Sequence, residues 1–198
     1  FWFCDKVERM GRYTRKDIVF DRENHKYFVG GKELSGVTKL VGKRVGKTFD
    51  KARGIPKVQE ACDFGSQAHE EIEYYLKEGT EIIHPSLKFV QDFIEKRFPV
   101  SSFSRYAEFL VSDYEKVATA IDLMFLDAYG YAYIFDLKTG VFDRGYCSWQ
   151  LGLCKYLLEI DGDITVKECG VVSLKDKFIY RVIPKTADRC KSLLGKSK

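Results

Sequence analysis

The stretch 118-ATAIDLMFLDAYGYAYIFDLKTG-140 decides the fold. It reads as two apolar strands folded about a turn, with Gly130 as the left-handed residue that a three-residue hairpin loop needs. Centring the turn on Tyr129 puts Asp122 directly opposite Asp136. Strand side chains alternate between faces, so Asp122, Asp136 and Lys138 are expected together with Ala120, Met124, Ala132 and Ile134. The other face is expected to carry Ile121, Leu123, Phe125, Tyr133, Phe135 and Leu137. Both faces are largely apolar, which makes this a central ribbon covered on both sides. Two opposed carboxylates there, with Cβ atoms about 4.5–5.5 Å apart, repel unless one is protonated or a cation lies between them. Lys138 offsets one charge, and a hard divalent ion would satisfy the remainder. The plainer alternative is an ordinary Asp136–Lys138 surface ion pair with a solvated Asp122.

Working outward, 105-RYAEFLVS-112 reads as a preceding strand, and 164-ITVKECGVVSL-174 with 177-KFIYRVI-183 as two following ones. Residues 17–34 alternate apolar and polar side chains around turns at Arg22–Asn24 and Gly30–Gly31, which suits a small antiparallel meander. Helices are expected over 35-SGVTKLVG-42, over 64–77 with Asp63 or Ser66 as cap and Gly79 as stop, over 86–98 capped by Ser86, and over 145–160. Phe64, Ala68, Ile72, Tyr75 and Leu76 form one stripe of the second helix. Leu87, Val90, Ile94 and Phe98 form one stripe of the third, which Pro99 stops. The order predicts an α/β domain with a central mixed sheet flanked by helices and an N-terminal hairpin extension. A single domain is expected, with hairpin and basic segment at 1–60, core at 61–183 and a polar tail at 184–198.

The chain has 198 residues, 45% of them hydrophobic, which suits one domain with a sizeable core. Lys and Arg number 33 against 29 Asp and Glu, a net charge of +4 that permits a polyanionic partner without demanding one. The stretch 43-KRVGKTFDKARGIPK-57 is either an exposed anion-facing segment or a solvated basic surface. No apolar run approaches the ~20 residues needed to span a bilayer, and no signal peptide is evident, so the expectation is a cytoplasmic chain without a membrane partner. The six cysteines contain no CxxC pair. They read as reduced thiols.

Four motifs in order, 65-GSQAH-69, Asp122, 136-DLKTG-140 and 149-WQLGLCKYLLE-159, resemble the PD-(D/E)XK nuclease superfamily. The similarity is to the branch holding RecB-type nuclease domains, CRISPR-associated and phage exonucleases, and the mitochondrial genome maintenance exonuclease. The resemblance implies a restriction-endonuclease-like core and covers close to half the chain. It also implies a Mg²⁺ or Mn²⁺ ion held by His69, Asp122, Asp136 and the Leu137 carbonyl, with Lys138 on the attacking water and scissile phosphate. Gln150 would project toward DNA or phosphate, and Glu73 and Glu108 would stand behind the ligands. The chain departs from the pattern at Cys154, where a tyrosine is usual; Tyr156 lies two positions late, about 200° further round the helix. Ile121 stands where the superfamily's namesake proline would be.

Some relatives carry a four-cysteine iron–sulfur cluster, but here only Cys169 and Cys190 follow the last helix motif, so none is expected. The resemblance implies a DNA exonuclease of recombination, repair or phage DNA processing, acting on single- or double-stranded DNA and leaving 5′-phosphate and 3′-hydroxyl ends. Its alternatives are a structure-specific endonuclease and a catalytically silent nucleic-acid-binding module. It leaves room for a homo-oligomer and for a recombination partner protein, and Phe49 and Trp149 are candidates for stacking on bases.

Overall fold

The computed structural model describes residues 18–46, 56–160 and 163–195. Residues 1–17, Phe49 and much of the basic stretch lie outside them. The fold is α/β, with a mixed, open central sheet between two layers of helices.

Strands β1 (Ile18–Asp21), β2 (Lys26–Val29) and β3 (Lys32–Gly36) form the expected antiparallel meander, turning at His25 and at Gly30 and Gly31, all with positive φ. Helix α1 (Val37–Val45) follows and ends on left-handed Gly46. Helix α2 (Pro56–Glu78) begins two turns earlier than the apolar stripe suggests and runs through Asp63 and Ser66, so neither caps it. Gly79 ends it with φ 71°. A 3-10 turn at Pro85–Leu87 leads into α3 (Lys88–Arg97). His84, not Ser86, caps that turn: its Nδ1 accepts from the Ser86 amide at 3.3 Å.

Strands β4 (Phe103–Ser112), β5 (Val117–Asp127) and β6 (Tyr131–Lys138) form an antiparallel meander. Gly130 takes φ 83° in the β5–β6 turn, and Asp127 Oδ1 accepts from the amides of Tyr129 and Tyr131. Helix α4 (Arg144–Glu159), capped by Asp143, crosses back to β7 (Thr165–Ser173), parallel to β6. β8 (Phe178–Arg181) pairs with β7. The segment read as a polar tail forms helix α5 (Ala187–Gly195), which buries Cys190 and Leu194. Its two buried positions four apart were masked in the sequence by the polar residues around them.

Helices α1, α4 and α5 cover one face of the sheet with Val37, Val41, Leu151, Leu158 and Leu194. Helices α2 and α3 cover the other with Ala68, Ile72, Val90 and Ile94, and with Phe98 stacked 4.0 Å from Phe125. Met124 and Ile134 lie on the first face, Leu123, Phe125, Phe135 and Leu137 on the second, as alternation requires. Ile121 departs from that scheme: it packs on the first face beside Phe109 and Val111. The alternation slips at Glu108 and Asp122. Glu108 lies within β4 with φ 49°, a left-handed conformation rare for a non-glycine residue.

Pairing along β5 explains where a site can open. β4 follows one edge of β5 from Ala118 to Asp127. The other edge is shared, by β3 at Val117 and Ala118 and by β6 at Leu123 to Leu126. Between them the edge has no strand, and Asp122 lies in that gap. Backbone groups there find side chains instead, because an unpaired buried amide is costly. The Ala120 amide meets the Tyr27 hydroxyl at 3.3 Å, and the Leu137 amide donates to Asp122 Oδ2 at 2.7 Å.

Candidate metal centre

His69 reaches the gap from α2. Its Nδ1 lies 3.1 Å from Glu108 Oε1 and its Nε2 3.3 Å from the Leu137 carbonyl, with Asp122 Oδ2 at 3.8 Å. One donor atom each from His69, Glu108 and Asp122 falls within 4.8 Å of the others. The 65-GSQAH-69 and 136-DLKTG-140 motifs meet beside this group, since a Cβ on Gly65 would touch Thr139 Oγ1 at 3.5 Å.

From the α4 side come Lys138 and Gln150. Lys138 Nζ spans the Asp136 carboxylate at 2.9 Å to Oδ1 and 2.7 Å to Oδ2, and Gln150 Nε2 donates to Oδ1 at 2.8 Å. Gln150 Oε1 is buried without a hydrogen-bond partner among the described residues. The two aspartates therefore divide their labour: Asp122 stands with His69 and Glu108, whereas Asp136 is held by Lys138 and Gln150. Asp136 does not join the three-donor group, although the two carboxylates still raise each other's cost of ionisation. The reason is the gap itself, since the β5–β6 ladder ends at Leu123–Phe135 and the strands part before Asp122 and Asp136 can pair.

The electrostatics are those of a partly buried, acid-rich cluster. Burial pushes the carboxyls of Asp122 and Asp136 upward, against the pull of His69 on the first and of Lys138 on the second. Burial opposes charge on His69, but Asp122 beside it and the Glu108 hydrogen bond outweigh that and push it up to about 9. Burial likewise opposes charge on Lys138, and Asp136 and Asp122 overcome it, raising the lysine above its ordinary value. The cluster stays open to solvent through His69 and Lys138, whose side chains are 30% and 29% exposed.

Glu73, one turn along α2 from His69, turns elsewhere. Its carboxylate takes Arg22 Nη2 at 2.5 and 2.6 Å and pairs with Lys77. Trp149 has Arg44 and Lys185 over its ring at 5.5 and 5.7 Å. Cys154 is buried in the core beneath α4, and Tyr156 packs against the same core. Tyr27 is the residue that sequence reasoning missed: nothing in 26-KYFV-29 signals that its hydroxyl will serve β5.

Compared with family models and with curated proteins, the chain matches none. No helix among the described residues is long and apolar enough to cross a membrane.

Proposed function

We propose that the chain is a metal-dependent deoxyribonuclease, an exonuclease in the first instance, which hydrolyses phosphodiester bonds to leave 5′-phosphate and 3′-hydroxyl ends. The observation that carries this reading is the meeting of His69, Glu108 and Asp122 within 4.8 Å in a gap of the sheet, beside an ammonium held 2.7 Å from Asp136. Two carboxylates, an imidazole and the adjacent Leu137 carbonyl form an oxygen-rich donor set that fits Mg²⁺ or Mn²⁺. His69, Glu108 and Asp122 would hold the ion, which supplies a lowered pKa for a water and charge neutralisation at the phosphate.

The chain's own residues account for the remaining steps. Asp136 fixes Lys138 and Gln150 in place. The Lys138 ammonium, held in place by Asp136, donates to the phosphate oxygen on which charge grows. Gln150 Oε1 accepts from the attacking water and orients it. The water oxygen bonds to phosphorus as the P–O3′ bond breaks; the water gives up a proton to solvent and the 3′ oxygen takes one up from solvent, so that a 5′-phosphate and a 3′-hydroxyl remain.

The test uses end-labelled linear and closed circular DNA with the purified protein and Mg²⁺ or Mn²⁺, against a chelator control and the variants Asp122→Asn and Lys138→Ala. Cleavage of linear DNA alone, lost with the metal and in both variants, supports the exonuclease. Nicking of circles points to an endonuclease instead. Variants that cut as well as the wild type, or a wild type that cuts neither substrate, overturn the catalytic reading.

A further inference from the structure

Beyond the acidic cluster, the far end of the sheet carries a group of aromatic side chains with no place in the mechanism above. Register places it: Lys138, Ser173 and Phe178 form one row across β6, β7 and β8, and Asp136, Val171 and Tyr180 the next. Residues in one row point to the same side, so Phe178 and Tyr180 share the face of Lys138 and Asp136, about 10 Å away across two strand spacings. The chain leaving Lys138 brings Phe142 to the same spot. Its ring lies 5.2 Å from Tyr180, and the Phe178 ring lies 4.9 Å from Tyr180 on the other flank.

Phe142 and Tyr180 are only partly buried where they pack against the edge of the core. Phe178 is 57% exposed. β8 pairs only with β7 among the described residues. Arg144 stands over the Tyr180 ring at 5.2 Å, and the exposed Lys175 and Lys177 precede Phe178 in the β7–β8 turn. The one acid of that turn, Asp176, is occupied, accepting from Ser173 Oγ at 2.8 Å and the Tyr180 hydroxyl at 3.1 Å. Flat apolar faces edged by cations suit bases on a phosphodiester strand, because every base offers a π-face and every phosphate a charge.

We infer that Phe142, Phe178 and Tyr180, with Arg144, form a stacking platform for unpaired bases of single-stranded DNA next to the scissile phosphate. The inference rests on the nuclease reading for its geometry, but binding tests it separately. A short fluorescein-labelled oligothymidylate is titrated in chelator, so that no cleavage intervenes, against wild type, Phe178→Ala and Phe178→Trp. An abasic oligomer of equal length serves as control. Each stacked base is worth roughly 1–3 kcal/mol, so Phe178→Ala should weaken oligothymidylate binding about tenfold and leave abasic binding unchanged. Phe178→Trp should restore affinity, with its indole fluorescence quenched on binding. Melting temperatures check that the exposed substitutions leave the fold intact.

Equal oligothymidylate affinity for wild type and Phe178→Ala overturns the platform, as does equal weakening on the abasic strand or a preference for duplex. Any of these leaves a DNA-cutting wild type unaffected. Conversely, a Phe178-dependent affinity in a protein that cuts no DNA keeps the platform and removes the nuclease.

Discussion

His69 and Glu73 stand one turn apart on α2, yet their surroundings have opposite balance. Glu73 is a buried acid with two cations on it, Arg22 and Lys77. His69 is a single imidazole beside two acids, Glu108 and Asp122, with Asp136 near enough to add a third charge. Buried charges are tolerated when paired and satisfied. The Glu73 cluster meets that condition within the chain and ties the β1–β2 turn to α2. The His69 cluster is left with an excess of carboxylate, and it is also where β4 adopts a strained conformation at Glu108. Charge is balanced within the chain at Glu73, whereas the His69 cluster keeps the carboxylate excess on which the proposed metal site rests.

The comparison is broken most forcefully at the acidic cluster. Lys138→Ala should lower DNA cleavage about a hundred- to a thousandfold, measured well below the melting temperature, and should lower that temperature too, because the buried Asp136 loses its cation. Next in size is ion binding. Saturating Mn²⁺ should stabilise the wild type by about 2.7 kcal/mol at a hundredfold excess over the dissociation constant, seen as a rise in melting temperature. Glu108→Gln should abolish that rise, whereas Glu73→Gln should keep it.

The Glu73 joint yields smaller effects with a pH signature. Burial works against the Glu73 charge, but hydrogen bonds from Arg22 and Lys77 outweigh it and hold the carboxyl below its ordinary value of 4.5. A carboxylate with a depressed folded pKa stabilises above its unfolded value and loses that contribution as pH falls through the folded one. Arg22→Ala should therefore cost about 1–2 kcal/mol in urea unfolding at neutral pH. The gap to wild type should close as the solution is acidified below pH ~4. Smallest is Lys77→Ala, about 0.5 kcal/mol in the same measurement, because Lys77 meets only Oε1 of Glu73 whereas Arg22 bonds both carboxylate oxygens.

The elements were legible wherever periodicity was undisturbed. The β5–β6 hairpin was readable in register from the turn at Gly130 as far as Leu123 and Phe135, where its strands alternate cleanly, but not at Asp122 and Asp136, where they part. The apolar stripes of α2 and α3 were equally plain, and their residues are buried as the stripes require. Helix α5 was not legible, since a nine-residue helix with two buried positions scarcely differs from a polar tail. The face of Ile121 was misread because alternation assumes uniform β-dihedrals, and the left-handed turn of Glu108 next door breaks that assumption.

Sequence by itself determined which side chains are the candidates for chemistry: Asp122, Asp136 and Lys138 are polar residues at apolar positions of a ribbon, where burial makes charge costly. Tertiary structure alone decided how they are grouped. Only in the folded sheet do β3 and β6 share one edge of β5 and leave a gap between them. That gap separates Asp136, bound by Lys138 and Gln150, from Asp122, which joins His69 and Glu108. Pairing rules act between neighbouring strands and can be read from the chain. A break in an edge depends on which distant strands compete for it, and no local pattern records that competition.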